Sequence, residues 1–432
     1  MKGSKFQLIV MGVCVLLAFI GVFVFAIYKK SSQTVKISIT VWGTLERRQM
    51  DGFLSNLTVK NSEIDVTYAQ KSAATFVNEY TNALALGQAP DAILLPHDIL
   101  FSLKDKIVMI PSESYPVSTY RSTFIPESEL FISPKSGLFA LPFAVDPMVM
   151  YWNRDLFSNA NIPLPPTTWE EFLTLPSLLT KRDNSLTINQ SAVALGEYSN
   201  ISNAKEIISL LILQAGSPIT AASNGIYRPV LDQAIGNTSR AADSALSFYT
   251  MFADPVKQVY SWNRSLPLSK QYFTSNKLAL YFGFASELPE IRSKNPNLNF
   301  DVALVPQAKA KSSATPKMTF GRLYGLAISR SAANPGNVLS AIASLTTQPA
   351  QSAWAMASGL PSVRRDTLSV NPTAQGSAVF TTSALLARGW YDPNSVSTEA
   401  IFRKMVENIT SGRKQIGDAI GGAQSELQIL MR

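Results

Sequence analysis

The alternation of strand and helix signals near the start of the folded region constrains the fold more than any other feature of the sequence. Residues 35–42 alternate apolar and polar side chains, and residues 64–69 do the same, which is the period of a half-buried strand. Residues 47–57 and 73–86 have helical spacing, and the apolar run 92–95 predicts a short buried strand. This order predicts an α/β fold, with a mostly parallel sheet and helices packed on its faces.

An unbroken apolar segment, residues 8–28, precedes this pattern, and lysines flank it on both sides. At about 1.5 Å per residue, a helix of this length just crosses a hydrocarbon core of about 30 Å. A cleavable signal peptide has a shorter apolar region and a small-x-small cleavage site, and neither is found here. We therefore predict one N-terminal transmembrane helix, residues 1–30, that stays attached as a signal anchor.

Cysteine and histidine are nearly absent from the chain, which excludes several kinds of site. The single cysteine, Cys14, lies inside the apolar segment, and Val13 before it is not the small residue expected ahead of a lipidated cysteine. One cysteine cannot form a disulfide or a thiolate metal site within the chain. One histidine, His97, cannot form a poly-histidine metal site. We expect neither a metal nor a cofactor.

The net charge of +8 does not come from a clustered basic surface. The densest groups of lysine and arginine along the chain are isolated pairs, so nucleic acid is not an expected partner. Charged residues make up 16% of the sequence, and uncharged polar residues fill much of the remaining surface. This composition suits a neutral polar ligand.

Several short motifs follow one another along the rest of the chain. They are VWGT at 41–44, APDAILL at 89–95, LPFAVD at 141–146, MYWNRDLF at 150–157, PPTTWEEF at 165–172, NKLALYFG at 276–283, FGRLYGLAIS at 320–329 and GLPSVRRD at 359–366. Within PPTTWEEF, Thr168 and Glu171 also predict a capping box at a helix start. In this order the motifs resemble the extracellular solute-binding proteins typified by maltose-binding protein and other sugar-binding components of ABC importers.

The resemblance implies a two-lobed periplasmic-binding-protein-like fold of type II, with hinged lobes that close over a ligand cleft. It implies a first lobe formed by residues 31–143 and 278–322, and a second lobe formed by residues 144–277 and 323–432. The implied function is an extracytoplasmic solute-binding protein that captures a mono- or oligosaccharide and delivers it to the permease subunits of an ABC importer. The N-terminal helix then holds the protein at the cell membrane as a single-pass protein with its large domain outside.

Sugars present apolar ring faces and many hydroxyls, so their sites combine aromatic platforms with carboxylate, amide and guanidinium groups. In α/β sheets, ligands collect at the carboxyl ends of the strands. The residues predicted to bind ligand are Trp42, Thr44, His97, Asp98, Asp146, Tyr151, Trp152, Tyr198, Phe284, Arg322, Tyr324, Trp354 and Arg364. Each has a structural alternative: core packing for the aromatic residues, helix capping or a structural hydrogen bond for the carboxylates, and ion pairing for the arginines. Tyr151 and Trp152 alternate faces on one strand, so only one of them is expected in the cleft.

Three alternatives to sugar import stay open. The same fold can bind a different solute, and Arg322 and Arg364 leave room for a phosphorylated one. It can also serve a sensor or an adhesin instead of an importer. An anchored glycosidase that uses Asp146 and Glu197 is the enzymatic alternative. The sequence contains no nucleophile elbow, P-loop or zinc-protease motif, so we predict a protein that is not an enzyme.

Overall fold

The computed structural model describes residues 11–12, 16–21, 37–58, 64–223, 225–233, 240–309, 316–368 and 376–431. Most of the predicted anchor, residues 8–28, lies outside these ranges. Within the described ranges, no helix has both the length and the apolar character needed to cross a membrane.

The chain alternates strands with helices from Ile37 onward. The strands are β1 (Ile37–Gly43), β2 (Ile64–Gln70), β3 (Ala92–Pro96), β4 (Ile107–Val108), β5 (Leu141–Asn153), β6 (Lys181–Arg182), β7 (Ile188–Val193), β8 (Thr220–Ser223), β9 (Ile226–Pro229), β10 (Leu278–Phe284), β11 (Phe300–Ala303), β12 (Thr319–Ser329) and β13 (Ala387–Arg388).

The helices lie between these strands and after the last one. They are α1 (Arg47–Thr58), α2 (Phe76–Ala85), α3 (Leu100–Leu103), α4 (Val117–Thr123), α5 (Arg154–Asn159), α6 (Trp169–Phe172), α7 (Leu175–Leu179), α8 (Ala204–Gln214), α9 (Ala241–Thr250), α10 (Ser269–Thr274), α11 (Leu288–Lys294), α12 (Pro335–Leu345), α13 (Gln348–Ser358), α14 (Arg365–Leu368), α15 (Ser377–Leu386), α16 (Ser395–Thr410) and α17 (Ile416–Leu430). Short 3-10 turns occur at His97–Ile99, Lys104–Lys106, Pro126–Phe131, Met251–Ala253 and Ala285–Glu287.

In the described part of the chain, eleven strands form one hydrogen-bonded network in the order β2-β1-β3-β12-β5-β10-β7-β6. Strands β4 and β13 also pair with β12, and β11 pairs with β5. The first three strands of this order are parallel, as the alternating sequence pattern predicts. Strands β8 and β9 form a separate antiparallel hairpin.

Two long strands, β5 and β12, belong to both halves of this network. The first half of β5 pairs with β12, and its second half pairs with β10 and β11. Strand β12 in turn continues into pairing with β3 and β4. The network therefore divides into one lobe around β1–β4 and another around β6, β7, β10 and β11, with β5 and β12 as the strands that cross between them.

This pairing differs from the predicted lobe bounds in two places. Residues 278–322 were assigned to the first lobe, but β10 and β11 pair with β5 in the second. Residues 323–432 were assigned to the second lobe, but α12 packs on β1 and α13 on α1, both in the first. The cause is that an apolar strand or an amphipathic helix has the same sequence pattern in either lobe. The remaining bounds stay predictions.

Local signals in the sequence positioned several elements correctly. The side chain of Thr168 accepts a hydrogen bond from the backbone N–H of Glu171, and Glu171 Oε2 reaches back to the N–H of Thr168, which confirms the predicted capping box. Helix α8, which is apolar at helical spacing, is buried along most of its length. Helices α8, α9, α16 and α17 pack together on the second lobe.

Trp354 was predicted to bind ligand, and the structure corrects this prediction. Its side chain is 0% exposed on α13, with ring centroids 4.8 Å from Phe143 and 5.8 Å from Phe53. In the sequence, one large aromatic residue among small residues on a helix is compatible with a core position and with a position that stacks on a sugar. Trp354 therefore fixes α13 against α1 and β5.

We expect Trp354→Ala to lower the free energy of unfolding by about 3–5 kcal/mol, because it leaves a cavity between Phe53 and Phe143. Urea denaturation of the full chain measures this change. The control is Met356→Ala on the same helix, which is 75% exposed and should shift stability by less than about 0.5 kcal/mol. Equal, small effects of the two substitutions would contradict the core position of Trp354.

Candidate functional site

The carboxyl ends of β1, β2 and β3 meet at one edge of the first lobe. Gly43 lies opposite both Gln70 and Leu94, so the three strands end side by side. The antiparallel β12 enters this edge at Tyr324, which pairs with Pro96. Because β5 leaves the lobe here as well, the edge faces the crossing strands. We call it the cleft edge of the first lobe.

The second lobe has a matching edge. Strand β10 ends at Phe284, which lies opposite Met148 near the crossing point of β5. Strand β7 runs parallel to β10, so the segment after Val193, which carries Tyr198, emerges at the same edge. The two edges together bound the interlobe cleft, and the crossing strands close it on one side.

Arg322 links the two edges. It sits on β12 opposite Asp146, and its Nη2 donates to Glu206 Oε1 on α8 at 2.7 Å and to Asn203 Oδ1 at 3.3 Å. Its guanidinium carbon lies 3.7 Å from the ring centroid of Phe284, which is fully buried. Burial lowers the pKa of Arg322, but Glu206 and other acidic neighbours raise it by more. The pKa of Arg322 is therefore raised overall. Arg322 is a fixed cation at the base of the cleft.

Asp146 holds the crossing point from the other strand. It is 3% exposed, and its carboxylate accepts hydrogen bonds from the backbone N–H of Ser286 at 2.9 Å and from the Ser286 hydroxyl at 2.5 Å. Burial raises the pKa of Asp146 to about 6, while the two bonds from Ser286 oppose that rise. Both oxygens of the Asp146 carboxylate therefore accept hydrogen bonds within the protein, which favours a structural role for Asp146 over ligand binding.

A buried ion pair lies next to the cleft in the second lobe. Lys205 Nζ is 3.1 Å from Asp392 Oδ2, and Thr398 donates its hydroxyl to the same carboxylate. Burial lowers the pKa of Lys205, but Asp392, Glu206 and Asp98 raise it by more. The contribution of Asp98 places that first-lobe carboxylate within electrostatic reach of this second-lobe pair.

Asp98 and Tyr324 carry polar groups that the protein leaves available. Both side chains are half-buried at the cleft edge, and neither has a side-chain hydrogen bond to any other residue that the structure describes. Burial raises the pKa of the Tyr324 phenol, with smaller contributions from Asp146 and Asp98 and an opposing one from Arg322. Half-buried polar groups without partners are groups that a polar ligand can satisfy.

Trp42 and Thr44 are both half-buried at the end of β1, as predicted. The ammonium of Lys71 lies 3.9 Å from the centre of the Trp42 ring, and Lys71 also pairs with Glu79 at 3.1 Å. One face of the indole is thus covered by a tethered cation. The indole is also one of the half-buried side chains that pack against the core.

An open groove of about 490 Å³ lies along α16 in the second lobe. Its lining includes Val396, which is 73% exposed, together with Glu399 and Arg403. The guanidinium carbon of Arg403 is 5.6 Å from the ring centroid of Tyr198, whose own side chain is only 2% exposed. Tyr198 is thus a core side chain beside the groove and, like the fully buried Phe284, it is corrected as a predicted ligand contact.

Sequence reasoning missed several of these groups: Lys71, Lys205, Glu206, Ser286, Glu399 and Arg403. For Lys205 and Glu206 a signal existed, because two charged residues at the start of an apolar buried helix require partners. For the others, no local pattern separates a cleft residue from an ordinary surface residue.

Four further predicted positions require correction. Tyr151 is 0% exposed and donates its hydroxyl to the carbonyl of Phe284 at 2.7 Å, so it belongs to the core. Trp152 lies at the far end of β5, opposite Leu280, away from the cleft edge. Arg364 is bound to Asp366 at 2.7 Å and to a backbone carbonyl in the first lobe.

The fourth correction concerns His97, which is 4% exposed and bonded within the protein, so it is not the predicted ligand contact. Its Nδ1 accepts a hydrogen bond from the backbone N–H of Leu323 at 3.2 Å, and burial lowers its pKa. His97 therefore ties the end of β3 to β12 as a neutral side chain. Among the residues described by the structure, no group of three or more His, Cys, Asp or Glu side chains could hold a metal ion.

Glu127 is a buried carboxyl group at the crossing point. It is 2% exposed, neither of its oxygens has a hydrogen-bond partner among the described residues, and burial raises its pKa to about 8. A Cβ atom on Gly321 would collide with Glu127 Oε2, and one on Gly389 would lie 3.1 Å from Oε1. These two glycines make the space that the carboxyl group occupies.

Comparison with known families matches most of the chain. The family model described as bacterial extracellular solute-binding protein matches residues 53–352. A maltotriose-binding protein of Pyrococcus abyssi is 23% identical over 136 residues, which cover 31% of this chain and 28% of that protein. A putative binding protein of Brucella abortus is 28% identical over 98 residues, 22% of this chain and 23% of that protein. The chain thus spans less than a third of the length of these curated relatives.

Solved structures share the fold over nearly the whole chain. A cyclo/maltodextrin-binding protein complexed with maltotetraose has a TM-score of 0.72 and 15% identity, with coverage of 92% of this chain and 98% of that one. The sugar-binding protein MalE from Xanthomonas citri has a TM-score of 0.70 and 16% identity, with coverage of 91% and 97%. The protein CpMnBP1 with mannobiose bound has a TM-score of 0.65 and 19% identity, with coverage of 91% and 100%. These matches confirm the two-lobed α/β fold.

Glu127 gives the stability of the protein a specific pH dependence. Its pKa is about 8 in the folded state, against 4.5 for a glutamate side chain in water, so between these values the folded state holds a proton that the unfolded state has lost. The contribution of Glu127 to the free energy of unfolding is fully present below about pH 4.5 and is lost as pH rises through about 8. We expect Glu127→Gln, which cannot ionise, to be more stable than the parent by at least about 1 kcal/mol near pH 9.

Denaturation at about pH 5 and about pH 9 measures this difference, which should be smaller at the lower pH. The control is Glu129→Gln, two residues away, because the Glu129 side chain is 55% exposed and pairs with Arg121 at the surface. A gain at high pH that is the same for both variants would contradict the assignment.

Proposed function

Because the chain belongs to the bacterial extracellular solute-binding protein family, we propose that it captures a carbohydrate in the interlobe cleft and delivers it to an ABC importer. Members of this family are binding proteins and not enzymes. The observation that carries the proposal is the set of uncommitted polar groups at the cleft edge. Asp98 and Tyr324 are half-buried and without side-chain partners among the described residues, and the half-buried ring of Trp42 ends a neighbouring strand.

This combination matches the chemistry of a sugar. The Asp98 carboxylate can accept hydrogen bonds from two adjacent hydroxyls, and the Tyr324 phenol can donate or accept one. The half-buried Trp42 ring at the end of β1 can contact the apolar side of a pyranose with its exposed part. Arg322 is held by Glu206 and keeps further N–H donors for ligand oxygens.

Binding between lobes also supplies the signal that an importer needs. Asp98 and Tyr324 belong to the first lobe, whereas Glu206 and the α16 groove with Arg403 belong to the second. A ligand that contacts both sets stabilises the closed arrangement of the lobes over the open one. The permease subunits can then distinguish loaded from empty protein by shape.

The choice of a carbohydrate is supported by the relatives whose names include maltotriose, maltotetraose and mannobiose. A charged solute is the alternative within the same site, and Arg322 and Arg403 are the residues that favour it. A phosphorylated ligand would place its anionic group on the guanidinium groups of Arg322 and Arg403.

A sensor or adhesin role keeps the same ligand and changes only the partner.

Localisation follows from the family and from the N-terminal segment. We propose that residues 1–30 anchor the chain in the cell membrane and that the two-lobed domain lies outside the cytoplasm. The apolar length of residues 8–28 supports the anchor, and membership of an extracellular binding-protein family supports the placement of the domain outside.

We expect saccharides to stabilise the protein against heat in a concentration-dependent way. At about 100 times its dissociation constant, a ligand that binds only the folded state adds about 2.7 kcal/mol. A thermal-shift screen tests mono- and oligosaccharides together with glycerol phosphates, polyamines and amino acids. A shift confined to charged solutes would overturn the carbohydrate assignment and leave the solute-binding function in place.

The saccharide identified in this way tests the cleft edge directly. Asp98→Asn should weaken its binding by about tenfold or more, since hydrogen bonds to a charged group contribute about 1.5–3 kcal/mol. Asp105→Asn is the matched control, because Asp105 is an exposed carboxylate that follows Asp98 closely in the chain. Titration calorimetry of the two variants should show a loss of affinity for the first alone.

Removal of residues 1–30 should release the protein from the membrane. Full-length protein is expected to sediment with membranes of the expressing cells, and the shortened chain is expected in the soluble fraction. Mass spectrometry of the membrane-bound form should show the uncleaved N-terminus. Soluble full-length protein, or a cleaved N-terminus, would rule out the anchor.

A further inference from the structure

Trp152, predicted to line the cleft, lies instead in a separate groove at the opposite edge of the second lobe. On β5, Met148 pairs with Phe284 at the cleft edge, while Trp152 pairs with Leu280 four residues further along. At about 3.4 Å per residue, this places the indole roughly 13 Å beyond the cleft edge. The ring packs edge to face against Phe157, with centroids 5.3 Å apart, and stays half-exposed.

The groove around Trp152 has a volume of about 560 Å³ and a polar lining. Asn299 donates from Nδ2 to Asp155 Oδ1 at 2.6 Å, and the backbone N–H of Arg154 donates to the carbonyl of Asn299 at 2.9 Å. These bonds join α5 to the chain just before β11. The floor of the groove is thus held in place before any ligand arrives.

Several polar groups in this groove have no partner within the described chain. The indole N–H of Trp152, the guanidinium of Arg154 and the amide of Asn161 make no side-chain hydrogen bond there. Asn161 adopts a left-handed backbone with φ of 57°, which asparagine tolerates better than most residues. An aromatic ring face, a guanidinium, a carboxylate and two amides therefore converge on one site.

We propose that this groove is a second saccharide-binding site, separate from the cleft. One sugar ring stacks on Trp152, and its hydroxyls bind Arg154, Asp155 and Asn161. Arg154 and Asp155 carry opposite charges, so the site fits a neutral sugar. The volume lies within the range of small-molecule sites and accommodates one or two sugar rings.

Fluorine NMR of the full chain labelled with 5-fluorotryptophan tests this site. The chain has 6 tryptophans, and the signal of Trp152 is the one that disappears in Trp152→Phe. The probes are mannobiose and maltotriose, titrated to millimolar concentrations into protein that also carries Asp98→Asn in the cleft. We expect a saturable shift of the Trp152 signal with at least one probe. A Trp152 signal that moves with neither probe overturns the proposal.

Substitutions in the groove lining test whether the polar side chains around Trp152 contribute to sugar binding or whether the indole alone binds the sugar. Asn161→Gly keeps the left-handed backbone and removes the amide, and Arg154→Gln removes the charge. Each should weaken the Trp152 response about fivefold or more, whereas Lys181→Gln, an exposed cation of the same lobe, should not change it. An unchanged response in Asn161→Gly and Arg154→Gln would overturn the proposal. Failure of the cleft to bind sugars would leave the Trp152 result untouched, so the two functions are tested separately.

Discussion

The structure depends on the pairing of two long antiparallel strands, β5 and β12, that belong to both lobes. Strand β12 pairs with β3 and β4 of the first lobe, β5 pairs with β10 and β11 of the second, and the two strands pair with each other at the crossing. Arg322 and Asp146 lie opposite each other at this crossing. Because the strands are continuous, the ends of β1, β2 and β3 must face the ends of β7 and β10. The position of the cleft is thus a consequence of strand continuity.

The buried charges around this crossing and beside the cleft are each matched by a partner. Arg322 with Glu206 and Lys205 with Asp392 are ion pairs, and Asp146 is satisfied by Ser286. Each group is costly to bury alone and tolerable when paired. Removing one partner of such a pair leaves a buried charge without compensation, so both members of each pair are needed. Trp354, in contrast, is surrounded by aromatic rings inside one lobe and is not part of the moving surface.

The sequence predicted the α/β class, the order of the first strands and helices, and the capping box at Thr168. It also placed Trp42 and Asp98 at strand ends that the structure brings to one edge, where β12 passes with Tyr324 in its middle. It could not place Tyr151, Trp152 and Trp354, because alternation shows which residues share a face but not which face is solvated. The lobe assignments of residues 278–322 and 323–432 differ from the strand pairing and helix packing for a related reason, since partners far apart in the chain leave no local pattern. Glu399 and Arg403 line the groove along α16, which the sequence pattern does not indicate.

The direction of β1 has a consequence for how the protein can be handled and displayed. The strand ends at Gly43 on the cleft edge, so Ile37 lies at the opposite edge of the first lobe, roughly 20 Å away at about 3.3 Å per residue. Whatever is joined upstream of Ile37 therefore attaches to the back of the lobe. A surface, a fluorophore or a carrier protein coupled through the N-terminus leaves the mouth of the cleft unobstructed, so an immobilised form can act as a solute sensor with free access for its ligand.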